Sequence, residues 1–151
     1  KPFAGGMLDD GETALRFLRR EKDVLVLCGC DQAEQVEQAV SVFSGEPVWT
    51  EEDAAKAQAY RDELGSRFCR RCEYCQPCPQ GVRITYAMMY RVVTKRLSPA
   101  KAVNFSGAVM ETVRDCVDCG ECATRCPYNL PIPEMLREHL AMYDAHREAA
   151  R

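Results

Sequence analysis

No apolar run in this 151-residue chain approaches the roughly 18–20 residues that a membrane-crossing helix needs. The opening "KPFAGGMLDD" has no charged start, apolar stretch or cleavage site of a secretory signal. Basic surplus is missing too: 20 Lys and Arg face 23 Asp and Glu, a net charge of -3, which excludes the electrostatic footprint of a nucleic-acid binder. Short arginine clusters at Arg19–Arg20 and at Arg67, Arg70 and Arg71 are the size of solvated surface rather than of a binding stripe. Low-complexity tracts are absent. The chain begins at Lys1 rather than Met, the start expected of a fragment or a processed product. These absences point to a cytoplasmic protein with no membrane and no nucleic acid among its partners.

Cysteine, by contrast, is abundant, with ten residues, eight of them in two tight groups. A secreted disulfide scaffold spreads its cysteines so that bridges close long loops, and neighbouring Cys-x-x-Cys thiols gain little from being bridged. The first group is "CRRCEYCQPCP": Cys69, Cys72, Cys75 and Cys78, closed by Pro79. The second is "CVDCGECATRCP": Cys116, Cys119, Cys122 and Cys126, closed by Pro127. The second matches the Cys-x2-Cys-x2-Cys-x3-Cys-Pro run of bacterial ferredoxins, and the first is one residue shorter before its last cysteine. Three thiolates at three-residue spacing can wrap a cubane, and Gly120 lets the backbone approach its sulfides. Zinc remains the alternative, but a four-cysteine zinc site prefers two Cys-x-x-Cys knuckles across a spacer. The pattern therefore predicts two [4Fe–4S] clusters.

In such runs the fourth cysteine ligates the other cluster. One cluster would then take Cys69, Cys72, Cys75 and Cys126, the other Cys116, Cys119, Cys122 and Cys78. The stretch between Cys78 and Cys116 is long enough for two helices, as in α-helical rather than compact β-containing ferredoxins. Arg67, Arg70 and Arg71 flank the first loop, and Asp115, Asp118 and Glu121 the second. Positive charge favours the reduced state, so electrons are expected to move from the second cluster to the first.

Outside the cysteine groups, hydrophobic periodicity predicts mostly helix. "ETALRFLRR" reads as a helix ending in arginines, "DVLVLCG" as a buried strand stopped by Gly29, and "DQAEQVEQAVSVF" as a helix capped by Asp31, with Val36, Ala39, Val40 and Phe43 on one face. "TEED" resembles a capping box and opens a helix to Leu64. Residues 84–97 read as one helix, Pro99 to about Val113 as another, and "PIPEMLREHLAMYDAHREAA" as the last, with Met135, Leu136, Leu140 and Tyr143 on its apolar face.

The stretch "KPFAGG…ALRFL…VLVLCGCDQAEQVEQAVSVF", followed by "CRRCEYCQPCPQGV" and "CVDCGECATRCPYNLPI", resembles the iron–sulfur-containing aldo/keto reductases over essentially the whole chain. The resemblance implies a mainly α fold: residues 1–48 the end of a (β/α)8 barrel, residues 49–151 an α-helical ferredoxin-type dicluster domain. A complete barrel needs about 250 residues, so the family's Asp–Tyr–Lys–His tetrad lies in sequence this chain does not contain, and no catalytic residue is assigned. His139 and His146 are read as surface residues of the last helix. The resemblance further implies that Gly5 and Gly6 approach a cofactor pyrophosphate, and that Gly29, Asp31, Gln35 and Gln38 belong to the turn holding the adenosine end of NAD(P)H in the full-length parent. Gln35 stands where many relatives carry an arginine, which weakens the case for a 2′-phosphate. Cys28 is read as core and Cys30 as facing the barrel mouth. The expected role is single-electron transfer in an aldo/keto reductase-like oxidoreductase. The alternatives are purely structural clusters in a carbonyl reductase and a ferredoxin-like partner subunit. Expected partners are a redox protein or the remainder of the barrel. An incomplete barrel should also leave residues 1–45 either self-associating or locally disordered.

Overall fold

The computed structural model describes residues 2–150; Lys1 and Arg151, the outer ends of the two expected domains, lie outside the described residues. The fold is mainly α, with no strand among the described residues. None of its helices is long and apolar enough to cross a membrane. Two compact units divide between Gly65 and Ser66, whereas the resemblance places the boundary after residue 48.

The first unit contains α1 (Gly11–Arg19), α2 (Ala33–Ser44) and α3 (Glu51–Leu64). Asp10 caps α1 by accepting from the Thr13 N–H at 2.9 Å, and Arg16 and Arg19 sit in its last turn where the helix dipole favours cations. The predicted box at α3 forms: the Thr50 hydroxyl accepts from the Asp53 N–H, and the Asp53 carboxylate accepts from the Thr50 N–H at 2.9 Å. Asp53 also accepts from the Thr13 hydroxyl and the Arg16 guanidinium of α1. This buried network joins α3 to α1, which is why the unit extends to Gly65. Burial alone would raise the Asp53 carboxyl, but hydrogen bonds from Thr50, Thr13 and Arg16 outweigh it and bring it down to about 2.

Two expectations for this unit fail, the strand over 24–30 and the Asp31 cap of α2. Residues 24–30 carry no strand, and Leu25 and Leu27 are 86% and 77% exposed. A β-branched run needs neighbouring strands to satisfy its backbone, and the described residues supply none. In α2 the face formed by Val36, Val40 and Phe43 is exposed; Val42 is buried instead, where Arg19 donates to the carbonyls of Val42 and Gly45. Asp31 does not cap α2: Gln32 holds that place without a side-chain bond.

The second unit holds α4 (Ile84–Ala87), α5 (Tyr90–Thr94), α6 (Pro99–Thr112) followed by a 3-10 turn (Val113–Asp115), α7 (Glu121–Thr124) and α8 (Ile132–Ala149). The helix predicted over 84–97 breaks at Met88 and Met89, where the Met89 N–H donates to Tyr86 O in a tightened turn. Ile84, Ala87, Met88 and Tyr90 are all buried, and an unbroken helix would point Tyr90 off that face. The tighter turn brings the Tyr90 ring edge-on to Tyr143, centroids 5.7 Å apart, with its hydroxyl 2.9 Å from His146 Nδ1. Gly107 of α6 leaves room for the Tyr143 hydroxyl of α8, which a Cβ would meet at 3.3 Å.

The apolar face of α8 is as predicted at Met135, Leu136 and Tyr143, but His139 joins it, 4% exposed, its Nδ1 3.1 Å from Ala87 O. It is therefore not a surface residue. Burial pushes its pKa down, against the hydrogen bond to Ala87. His146 is half-buried against Tyr90.

Candidate metal centre

Local backbone conformation shapes both cysteine loops. In the first, Arg71 and Glu73 have φ of 59° and 66°; in the second, Asp118 and Gly120 have φ of 54° and 76°. These are the second and fourth residues after Cys69 and after Cys116, so the loops repeat one conformation. Alternation with left-handed residues folds backbone N–H groups into concave nests that suit anions, iron–sulfur groups among them.

The likeness continues past the Cys-Pro steps. The Gly81 N–H donates to Cys78 O at 3.0 Å, and the Asn129 N–H to Cys126 O at 3.1 Å, each closing a turn with proline at its second position. Gly81 and Asn129 are both left-handed, with φ of 74° and 51°. Next, the Ile84 N–H donates to Val82 O at 2.9 Å and the Ile132 N–H to Leu130 O at 2.8 Å. A helix starts at each isoleucine, α4 and α8. "CPQGVRI" and "CPYNLPI" are thus two copies of one loop-to-helix unit. Val82, Leu130, Ile84 and Ile132 are all buried.

Packed together, the two copies enclose two hollows. Cys69, Cys72, Cys75 and Cys126 line one of about 330 Å³. Cys78, Cys116, Cys119 and Cys122 line the other, of about 400 Å³, and Cys75 stands in the walls of both. The smaller hollow takes three thiols from the first loop and Cys126 from the second, and the larger takes three from the second loop with Cys75 and Cys78 from the first. All ten cysteines of the chain are free thiols. Among the described residues no three His, Cys, Asp or Glu side chains gather tightly enough to hold a single ion. The eight thiols stand around the two hollows rather than closing on one point. Apolar residues, including Ile84, Ile132 and Leu136, make up much of the remaining walls. Soft sulfur donors in fours on an apolar wall fit a [4Fe–4S] group in each hollow.

Burial, then the neighbouring thiols, pushes the pKa of Cys69 and Cys75 up, and takes Cys122 to about 11. Binding iron there must displace protons. Gln76 stiffens the shorter first loop: its Oε1 accepts from the Cys78 N–H at 3.1 Å, and its Nε2 donates to Val82 O.

Half of the charges read from the sequence are ion-paired. Arg67 bridges Glu134 and Glu138 of α8, Asp118 meets Arg137, and Glu121 meets Arg125. Arg70 lies over the Tyr128 ring at 4.1 Å. Arg71 and Asp115 have no ion-pair partner among the described residues. Pairing therefore reduces the contrast in charge between the two loops but leaves Arg70 and Arg71 beside the first and Asp115 beside the second without an ion pair among the described residues.

The residues expected to hold a nucleotide line neither hollow. Gly5 and Gly6 are left-handed in a turn, but the Gly6 N–H donates to Phe3 O at 2.8 Å instead of facing outward to a phosphate. The Asp31 N–H donates to Gln35 Oε1 at 2.7 Å. Gly29, Asp31, Gln35 and Gln38 are exposed. Cys28 is half-buried rather than core, and burial followed by the Cys30 thiol pushes its pKa up; Cys30 is exposed. The sequence reading also missed Thr85, which lines the first hollow among apolar neighbours. Nothing in its local sequence marks it.

Comparison with curated proteins and with solved structures gave no match. Comparison with family models gave one: residues 68–131, which span both cysteine groups, match the 4Fe-4S dicluster domain. By that match the segment is an iron–sulfur domain of the ferredoxin type, and electron transfer is the role it supports.

Proposed function

We propose that residues 66–151 carry two [4Fe–4S] clusters, one on Cys69, Cys72, Cys75 and Cys126 and one on Cys78, Cys116, Cys119 and Cys122, and pass single electrons within an aldo/keto reductase-like oxidoreductase. The observation that carries this reading is the pair of hollows, each lined by three thiols of one loop together with the last thiol of the other, with Cys75 shared between them. A bound cluster supplies one-electron chemistry at a potential set by its surroundings. The chain's own part is to hold the thiolates, exclude water and keep the two groups close. Cys75, common to both walls, makes the contact between the two sites short. Ile84 and Leu136 keep the interior apolar, and the nests around Arg71, Glu73, Asp118 and Gly120 offer N–H groups to negative sulfur.

The aldo/keto reductase setting, NAD(P)H in the full-length parent, a cytoplasmic location and a redox partner or barrel remainder as the electron source rest on the sequence resemblance. Exposed Leu25, Leu27, Val36 and Val40 favour a covering surface of that kind. A second reading, clusters with a structural role only, draws on Cys75 and Cys126, which are buried in the hydrophobic core of the second unit. Reductive titration separates the two. Electron transfer requires both clusters to be reduced and reoxidised reversibly, and clusters that stay silent across the accessible range support the structural role.

A further inference from the structure

The two hollows are pseudo-symmetric, and the positions just after the two helix-starting isoleucines break that symmetry in hydrogen-bonding capacity. In the hollow of Cys69, Cys72 and Cys75, the helix after Ile84 presents Thr85 and Met88. In the hollow of Cys116, Cys119 and Cys122, the helix after Ile132 presents Pro133 and Leu136 at the corresponding places. Met88 and Leu136 are similar in bulk. Thr85 and Pro133 are not alike: one offers a hydroxyl, the other no donor at all.

Thr85 is 5% exposed, and its Oγ1 is shut away from solvent with no hydrogen-bond partner. It shares the wall of that hollow with the Cys75 thiol. The other buried polar atom without a partner, Arg147 Nε, belongs to a guanidinium that already pairs with Glu111 and Asp144. An orphaned buried hydroxyl costs stability unless something accepts its proton. The wall it belongs to holds four thiols, and Glu73 is also among its residues.

We infer that the Thr85 hydroxyl donates a hydrogen bond to sulfur of the cluster held by Cys69, Cys72, Cys75 and Cys126, and sets that cluster's potential above that of its pseudo-symmetric partner. A donor to sulfur stabilises the reduced, more negative state, and Pro133 supplies none to the other site. Charged residues differ between the walls as well, Arg70 and Glu73 on one against Asp118, Glu121 and Arg125 on the other, and this hydroxyl is the difference in buried donors at the two helix starts. The inference rests on the two-cluster reading.

The test is an EPR-monitored redox titration of the iron-loaded full chain, wild type beside Thr85→Val, Thr85→Ala and Thr85→Ser, with iron counted in each. Failure to load about eight irons in the wild type would strike the two-cluster reading itself, independently of Thr85. In a loaded wild type, two midpoints are expected. Val and Ala should lower the higher midpoint and leave the lower one in place, and Ser should keep both. Loss of one cluster from Val and Ala but not from Ser also supports the inference, because Ser and Ala differ only in the hydroxyl. Unchanged midpoints in Val and Ala would overturn it. So would movement of the lower midpoint instead, or a Ser variant that shifts or loses iron as Val does.

Discussion

Cys126 closes the second loop but lines the hollow of the first, and Cys78 does the reverse. Substitution by serine should therefore disturb clusters crosswise. Cys126→Ser is expected to alter the same EPR signal as Cys72→Ser, and Cys78→Ser the same signal as Cys119→Ser. Pairing of Cys126 with Cys119 would mean that each loop ligates its own cluster. Backbone strain offers a second test at this scale. Glu73 holds a left-handed conformation at the place where the second loop has Gly120, and a non-glycine residue there costs about 1–2 kcal/mol. Glycine loses more chain entropy on folding, so Glu73→Gly should stabilise the second unit by roughly 0.5–1 kcal/mol, seen as a raised thermal midpoint. The cysteine pattern was legible in the sequence because ligand spacing is a local property. Thr85 was not, since its significance depends on which side chains surround it after folding.

Among the elements, α3 is the one whose start and attachment can both be measured. Asp53 titrates near 2 in the folded chain and higher when unfolded, so its contribution is complete above about pH 4 and is lost as pH falls through about 2. That loss should amount to roughly 2–3 kcal/mol of the first unit's stability, measured by denaturant unfolding across that pH range. Thr50→Ala, which removes the cap, should cost about 1 kcal/mol at neutral pH. A first-unit stability that is flat between pH 4 and pH 2 would contradict the network around Asp53. The box itself could be read from "TEED", because a cap is written within four residues. The strand over 24–30 could not be judged the same way: a strand needs neighbouring strands to satisfy its backbone, and the described residues supply none. Likewise, the break at Met88 follows from the pull of Tyr90 into the core, a tertiary effect that helical periodicity does not contain.

At the scale of the whole molecule, iron binding and proton release are linked. The buried thiols of Cys69, Cys75 and Cys122 have raised pKa values, and each must give up its proton to ligate iron. Cluster assembly should become more favourable as pH rises and release protons at neutral pH, which calorimetry in buffers of different ionisation enthalpy would detect. Lysine at Leu25 or Leu27 should reduce any concentration-dependent association of the chain without changing its iron content, because both side chains are exposed in the first unit. The most direct single measurement is anaerobic iron and sulfide analysis of the purified chain, with EPR of the dithionite-reduced protein. The two crossed sets of four thiols require about eight irons per chain and two interacting S = 1/2 signals. Zinc in place of iron, or a well-folded chain with free thiols that takes up no iron and sulfide, would contradict the account.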